Sequence, residues 1–398
     1  MNGEMKMRAA KLLTGLLALG MMLPVVGAIR KEGRYWIEVK ESSIPAGTKL
    51  RITSSGPVLV AGDSENNVRF KVTRKVRADT QGEAERLFAD APLTAALQSA
   101  TAVISQEDPN CGRCNFSAYL EVSAPRRTQQ TVIDSEGGSL TVRALEGKVN
   151  ASTEGGAITV DEIGGSVRAN TAGGSISLRS IGGEVLCDTA GGTISLDGGG
   201  GDATLTTSGG SITARDVAGI LRAETAGGSI TADKIGRSLV AETSGGSINV
   251  SDVAGRVSAG TAGGSVNITS APGGVRAETA GGKIHLRDVA GAVMASNATG
   301  SIQVYFLRGQ PLKDSILETN VGSIDVWLPA DLKVTIEAIV ELANGSRRIQ
   351  SDFDAIRVRQ NGERFGPRSV TADGALNGGG PVLRILNTAG HIKIRRLE

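Results

Sequence analysis

Cys111-Gly-Arg-Cys114 is the one pair whose residue type and spacing invite reactive chemistry. Two cysteines so placed can form a redox dithiol, half of a zinc site or a local disulfide. A redox dithiol needs the start of a helix in a thioredoxin-like setting, whereas this pair follows Asp108-Pro109-Asn110 in a loop. Zinc needs two more ligands, and the chain offers only Cys187 and the distant His285 and His391. An exported chain can oxidise so close a pair, so a Cys111–Cys114 disulfide is the expectation. Cys187 falls in a column of small inward residues and reads as a buried hydrophobe. No catalytic, metal-binding or cofactor-binding residue is expected elsewhere, and no cofactor.

The other charged and hydroxyl side chains fall into columns with one spacing. Arg143, Asp161, Arg179, Asp197, Arg215 and Asp233 alternate in sign every 18 residues. Thr141, Thr159, Ser177, Ser195, Thr213, Thr231, Asn249 and Asn267 form a second column, and Thr153 to Thr279 a third. A flat row of Thr and Ser can bind ice, but a neighbouring row of alternating charge argues against that. Opposite charges one strand apart instead support a parallel stack and fix its register. The third column shares the inward parity of Val and Ala, so it reads as a structural hydroxyl ladder. Calcium is not expected: the Gly-Gly-x-Gly-x-Asp corner of calcium-binding rolls is missing.

Behind these columns stands one 18-residue phrase written nine times between Gly137 and Ala298. Self-similarity at a short fixed period means stacked coils. Ile158, Ile176, Ile194 and Ile212 alternate with Val160, Leu178, Leu196 and Ala214 as the buried face of one strand. Nine residues on, Val167, Val185, Ala203 and Leu221 alternate with Ala169, Cys187, Leu205 and Ala223 as a second, smaller one. The repeated glycines suit corners that need positive φ or close backbone approach. The fold expected is all-β: a parallel β-solenoid with 18-residue two-strand coils and an N-terminal β-rich cap with one short helix. Gly198–Gly201 replaces an apolar corner residue, and that coil is expected to be the weakest.

Residues 1–28 read as a signal peptide, with Lys6, Arg8 and Lys11 before the apolar run Leu12 to Val26 and Val26-Gly-Ala28 as a cleavage site. Without it, totals of 43 basic and 41 acidic residues become 40 of each, since Glu4 leaves with the three cations. A neutral mature chain gives no case for nucleic acid, and no later stretch is expected to cross a membrane. Residues 29–128 read as a capping region, with strands around Tyr35–Val39, Lys49–Ile52, Val68–Val72 and Ala118–Val122 and a helix from Thr80 to Ala91. Residues 129–305 hold the regular repeats. Residues 306–398 continue them less regularly, with a four-residue insertion near Leu307 to Pro311 and the phrase repeated at Asn387 to Ile394.

Leu120-Glu-Val-Ser-Ala-Pro125, the Thr-Ala-Gly-Gly-Ser-Ile repeats, Gly322-Ser-Ile-Asp-Val-Trp-Leu-Pro329 and Leu376-Asn-Gly-Gly-Gly-Pro381 resemble the bacterial Gly-rich "putative adhesin" family of unknown function. The resemblance covers nearly all of the mature chain. It implies an exported β-solenoid and supplies no catalytic residue to carry over.

The function expected is that of a non-enzymatic exported cell-envelope protein, with an adhesin-like structural or binding surface. Its partner would be an envelope or extracellular surface, protein or polysaccharide, met in the periplasm, on the cell surface or outside the cell. A periplasmic sensory or regulatory module is the alternative. A carbohydrate-active β-helix enzyme is a weaker one, because such sites want clustered acids and aromatic platforms on long loops. Here the charges stand in ladders and the loops are two or three residues long.

Overall fold

The structure, a computed structural model, describes residues 28–109, 114–342, 348–361 and 369–397. Each regular coil has a six-residue strand such as Ile176–Ile181, a tight turn, a five-residue strand such as Val185–Thr189, and a Gly-Gly turn. Every strand pairs in parallel with its equivalent 18 residues on, in the register expected from the apolar columns. Two facing sheets result, and their inward residues form one continuous core from Leu50 to Ile394. Large residues such as Ile176 and Leu178 on one sheet face Val185 and Cys187 on the other, all of them buried. Alternation of large with small lets two sheets pack closely in a slab with no third layer.

The six-residue strands carry a bulge that the sequence pattern does not announce. Ala144, Glu162, Ser180, Asp216, Lys234, Asp252, Ser270 and Asp288 all have φ between 51° and 59°. Each follows an outward residue and points outward itself, which brings the next residue, such as Ile163 or Ile181, back into the core. Gly198 takes this position in its own coil with φ of 83°. The sheet of six-residue strands is called the bulged sheet below, and its partner the plain sheet. Positive φ therefore belongs to a non-glycine column, while the repeated Gly-Gly pairs between Gly137 and Gly282 have none.

Both ends of the solenoid break the order of the chain. Lys49–Ser54 and Val58–Asp63 make one coil, and Thr101–Gln106 with Phe116–Pro125 make another. The earlier coil lies between the later one and the coil of Gln130–Ser135 and Leu140–Leu145. The far end repeats the device. Ser315–Pro329 runs through both sheets, and Val382–Leu397 pairs with it in parallel along its length. Val334–Val340 and Ile349–Ser351, earlier in sequence, pair on the outer side of Val382–Leu397. The first and last coils of the chain are thus interior coils.

Antiparallel strands finish each end. Leu93–Gln98 covers Thr101–Gln106, and Asn67–Arg77, Tyr35–Pro45 and Ala28–Glu32 extend the other sheet in turn. The single helix, Gln81–Ala89, packs Ala84 and Phe88 beside Val76. Thr80 caps it by accepting from the Glu83 N–H at 3.2 Å. Its last turn is held by buried Arg74, which donates to the carbonyls of Phe88 (3.0 Å) and Ala91 (2.6 Å) and pairs with buried Glu38. At the C-terminal end Ser369–Leu376 and then Arg357–Asn361 are antiparallel additions.

Candidate functional site

The threonine column is fully engaged in the fold. Thr171 Oγ1 donates to the Gly156 carbonyl at 2.9 Å and accepts from the Gly174 N–H at 3.2 Å. The same pair of bonds recurs from Thr153 to Thr279. Ser135 makes both bonds one coil earlier, and Asn297, Thr319 and Asn387 make the donor bond in the later coils. These hydroxyls brace one coil on the next and are not free for a ligand. Glycine is needed opposite them for close approach. A Cβ on Gly174 would lie 2.0 Å from the Gly156 carbonyl oxygen, whereas one on Gly173 would meet its nearest neighbour at 3.8 Å.

The outward face of the bulged sheet carries the two polar columns expected. Arg143 stands in register with Asp161, Asp161 with Arg179, and so on to Asp233. Of these, only Arg179 and Asp161 approach within ion-pair distance, at 3.9 Å. The ladder is solvated and loosely paired, so it fixes register more than it adds stability. In the adjoining column Asn267 Nδ2 donates to Asn249 Oδ1 at 2.9 Å.

Followed toward the C-terminus, the charge column changes character. It continues through Ser251 and Thr269 to Arg287, Tyr305, Trp327 and Arg395. Tyr305 and Trp327 stack face to face, with centroids 4.0 Å apart and planes 8° from parallel. Arg287 lies over the free face of the ladder at Tyr305, 5.4 Å from its centroid, and Arg395 lies over Trp327 at 5.6 Å. Beside this stack runs His285, Gln303, Asp325 and Lys393, with His285 Nδ1 3.1 Å from Gln303 Oε1. Sequence reasoning ended the column at Asp233 and missed the stack. The signal was present: the coil phrase shifts by 22 residues from Gly300 to Gly322, and the same shift carries Tyr305 onto Trp327.

On the plain sheet a shallow groove of about 1150 Å³ runs beside the threonine corner. Its outward column includes Glu224, Glu242, Gly260 and Glu278 in register. Arg222 pairs with Glu224 at 2.6 Å and Arg276 with Glu278 at 2.5 Å, so two of these acids are compensated along their own strands.

Cys114 is disulfide-bonded. Cys111 lies outside the described residues, so its expected pairing with Cys114 is carried forward as a proposal. Cys187 is free and buried in the small-residue column, where burial pushes its thiol pKa far up. His285 is on the bulged face and His391 is exposed. Among the described residues no group of three or more His, Cys, Asp or Glu is placed to hold a metal ion, and no helix is long and apolar enough to cross a membrane. The expected leader lies outside the described residues except for Ala28, which opens the first strand.

No family model matches the chain, and no curated protein matches it. Solved structures do align with it. One is of "a putative cell adhesion protein" from Clostridium sporogenes, 9% identical, covering 90% of this chain and 100% of that one at a TM-score of 0.18. A second is of "a putative adhesin" from Bacteroides fragilis, 10% identical, covering 91% and 97% at 0.22. A third is of a "putative lipid binding protein" from Parabacteroides distasonis, 12% identical, with the same coverage and TM-score as the second. At these scores the superpositions carry no argument about this molecule.

Proposed function

We propose that this chain is a non-enzymatic, exported protein of the cell envelope that acts as an adhesin-like binding surface. The observation that supports this reading is how the polar groups are divided. The inward hydroxyls are used by the fold, coil after coil, while the outward Thr/Ser/Asn and Arg/Asp columns repeat in register across the bulged sheet. Nine coils at the interstrand spacing span roughly 40 Å. A weak contact made many times in register gains avidity that one contact lacks. Export rests on the leader in residues 1–28, and it makes a Cys111–Cys114 disulfide chemically reasonable. The regions 29–128, 129–305 and 306–398 act in this reading as cap, repeated wall and closing end.

Sedimentation of the purified mature chain with washed bacterial envelope fragments tests this directly. Weak, reversible co-sedimentation is expected, with no soluble sugar, peptide or ester product released. Steady release of product that depends on a single acidic side chain would contradict the reading.

A further inference from the structure

The Arg287–Tyr305–Trp327–Arg395 stack ends in two guanidinium groups that are held but not used. Each lies over an aromatic ring, and neither makes a hydrogen bond or ion pair among the described residues. A guanidinium held by a ring through its face keeps its N–H donors for a carboxylate. Arg287 and Arg395 are exposed, while the two rings between them are half-buried. The arginines stand three register steps apart, about 14 Å at the interstrand spacing.

The row beside the stack has a different character at its centre. Gln303 and Asp325 lie between His285 and Lys393. Asp325 Oδ1 is buried and has no hydrogen-bond partner. An acceptor in that state wants a hydroxyl donor and repels a continuous line of negative charge. The surface therefore offers cations at its two ends and hydroxyl-reading groups in the middle. The stacked rings turn their faces to each other and to the arginines, so a sugar cannot lie flat on either ring. What the ladder presents to solvent is ring edges and N–H donors.

We propose that this face binds an extended acidic polysaccharide of the polyuronate class. Arg287 and Arg395 take carboxylates about three sugars apart, and Gln303 and Asp325 take hydroxyls of the sugars between. An extended polysaccharide advances by close to one interstrand step per sugar, so its spacing matches the sheet. The inference is separable from the repeated-contact reading, because coils deleted from the middle of the solenoid leave all of these residues in place.

The test is calorimetry with the full chain and three polymers: polygalacturonate, its fully methyl-esterified form, and polyglutamate. Polygalacturonate should bind, and the other two should bind at least about tenfold more weakly, since each lacks either the carboxylates or the hydroxyls. Arg287→Lys with Arg395→Lys keeps the charge but loses the planar fork, and should weaken polygalacturonate by about tenfold. Gln303→Ala, which leaves the ring stack in place, should weaken it by about threefold. Circular dichroism melts of both variants should match the parent chain. Absent polygalacturonate binding, equal binding of polyglutamate or of single-stranded DNA, or parental affinity in both variants would overturn the proposal.

Discussion

At each Gly-Gly corner the two glycines have different jobs. The second must pass against the carbonyl of the coil below, where a Cβ on Gly174 would come within 2.0 Å of oxygen, while the first has ordinary room. Gly174→Ala should therefore cost about 3 kcal/mol or more through displaced backbone, and Gly173→Ala less than about 1 kcal/mol. Urea melts of the two variants check this, and equal loss would show that the corners do not touch. The neighbouring threonine is equally specific. Thr225 donates to the Gly210 carbonyl and accepts from the Gly228 N–H, at 2.8 and 3.2 Å. Thr225→Val keeps the shape and leaves both groups unpaired, for a cost of about 1–3 kcal/mol. Thr225→Ser should cost less, because Ser135 makes both bonds in its own coil.

The strand and its corner are where the four-glycine coil has to be judged. Gly198 occupies the positive-φ bulge, where its neighbours hold Ser180 and Asp216 against their preference. Gly200 and Gly201 press on the backbone of the coil below, but Gly199 would accept a Cβ with its nearest contacts at 3.4 and 3.7 Å to Leu196 and Val217 side chains. Gly199→Ala should thus raise stability by about 0.5–1 kcal/mol, seen as slower amide exchange in that coil. No gain would mean that the missing side chain is not what weakens it. The coil itself was legible in the sequence, because period-two alternation and an 18-residue repeat together leave little choice of register. Ile158 over Ile176 and Thr153 over Thr171 are direct consequences. The bulge was not legible, since a residue in the left-handed region needs no glycine when a sheet holds it, and Glu162, Lys234 and Asp252 carry no common side-chain signal. Nor was the aromatic stack read. Tyr305 and Trp327 meet only once the four-residue insertion between their coils is closed up.

At the scale of the molecule, the terminal coils being interior changes what truncation does. An in-order solenoid that lost its last coil would fray at one end. Here removal of Val382–Leu397 takes out the partner of Ser315–Pro329 and of Val334–Val340 together, leaving long parallel edges open to other chains. A chain ending at Pro381 should therefore associate into large species by light scattering. A monodisperse monomer would contradict the pairing. The same stacking makes the middle of the molecule removable in whole units, since each coil there pairs only with its neighbours 18 residues away. The central claim, that this wall binds through repeated equivalent contacts, is tested most directly by deleting residues 209–226 and then 209–244 and measuring affinity for washed envelope fragments. Both shortened chains should stay folded and monomeric, and affinity should fall at each step, more than in proportion to the coils removed. Affinity that is the same in all three chains would place binding in the caps or in the Arg287–Arg395 face, and would contradict the repeated-contact account.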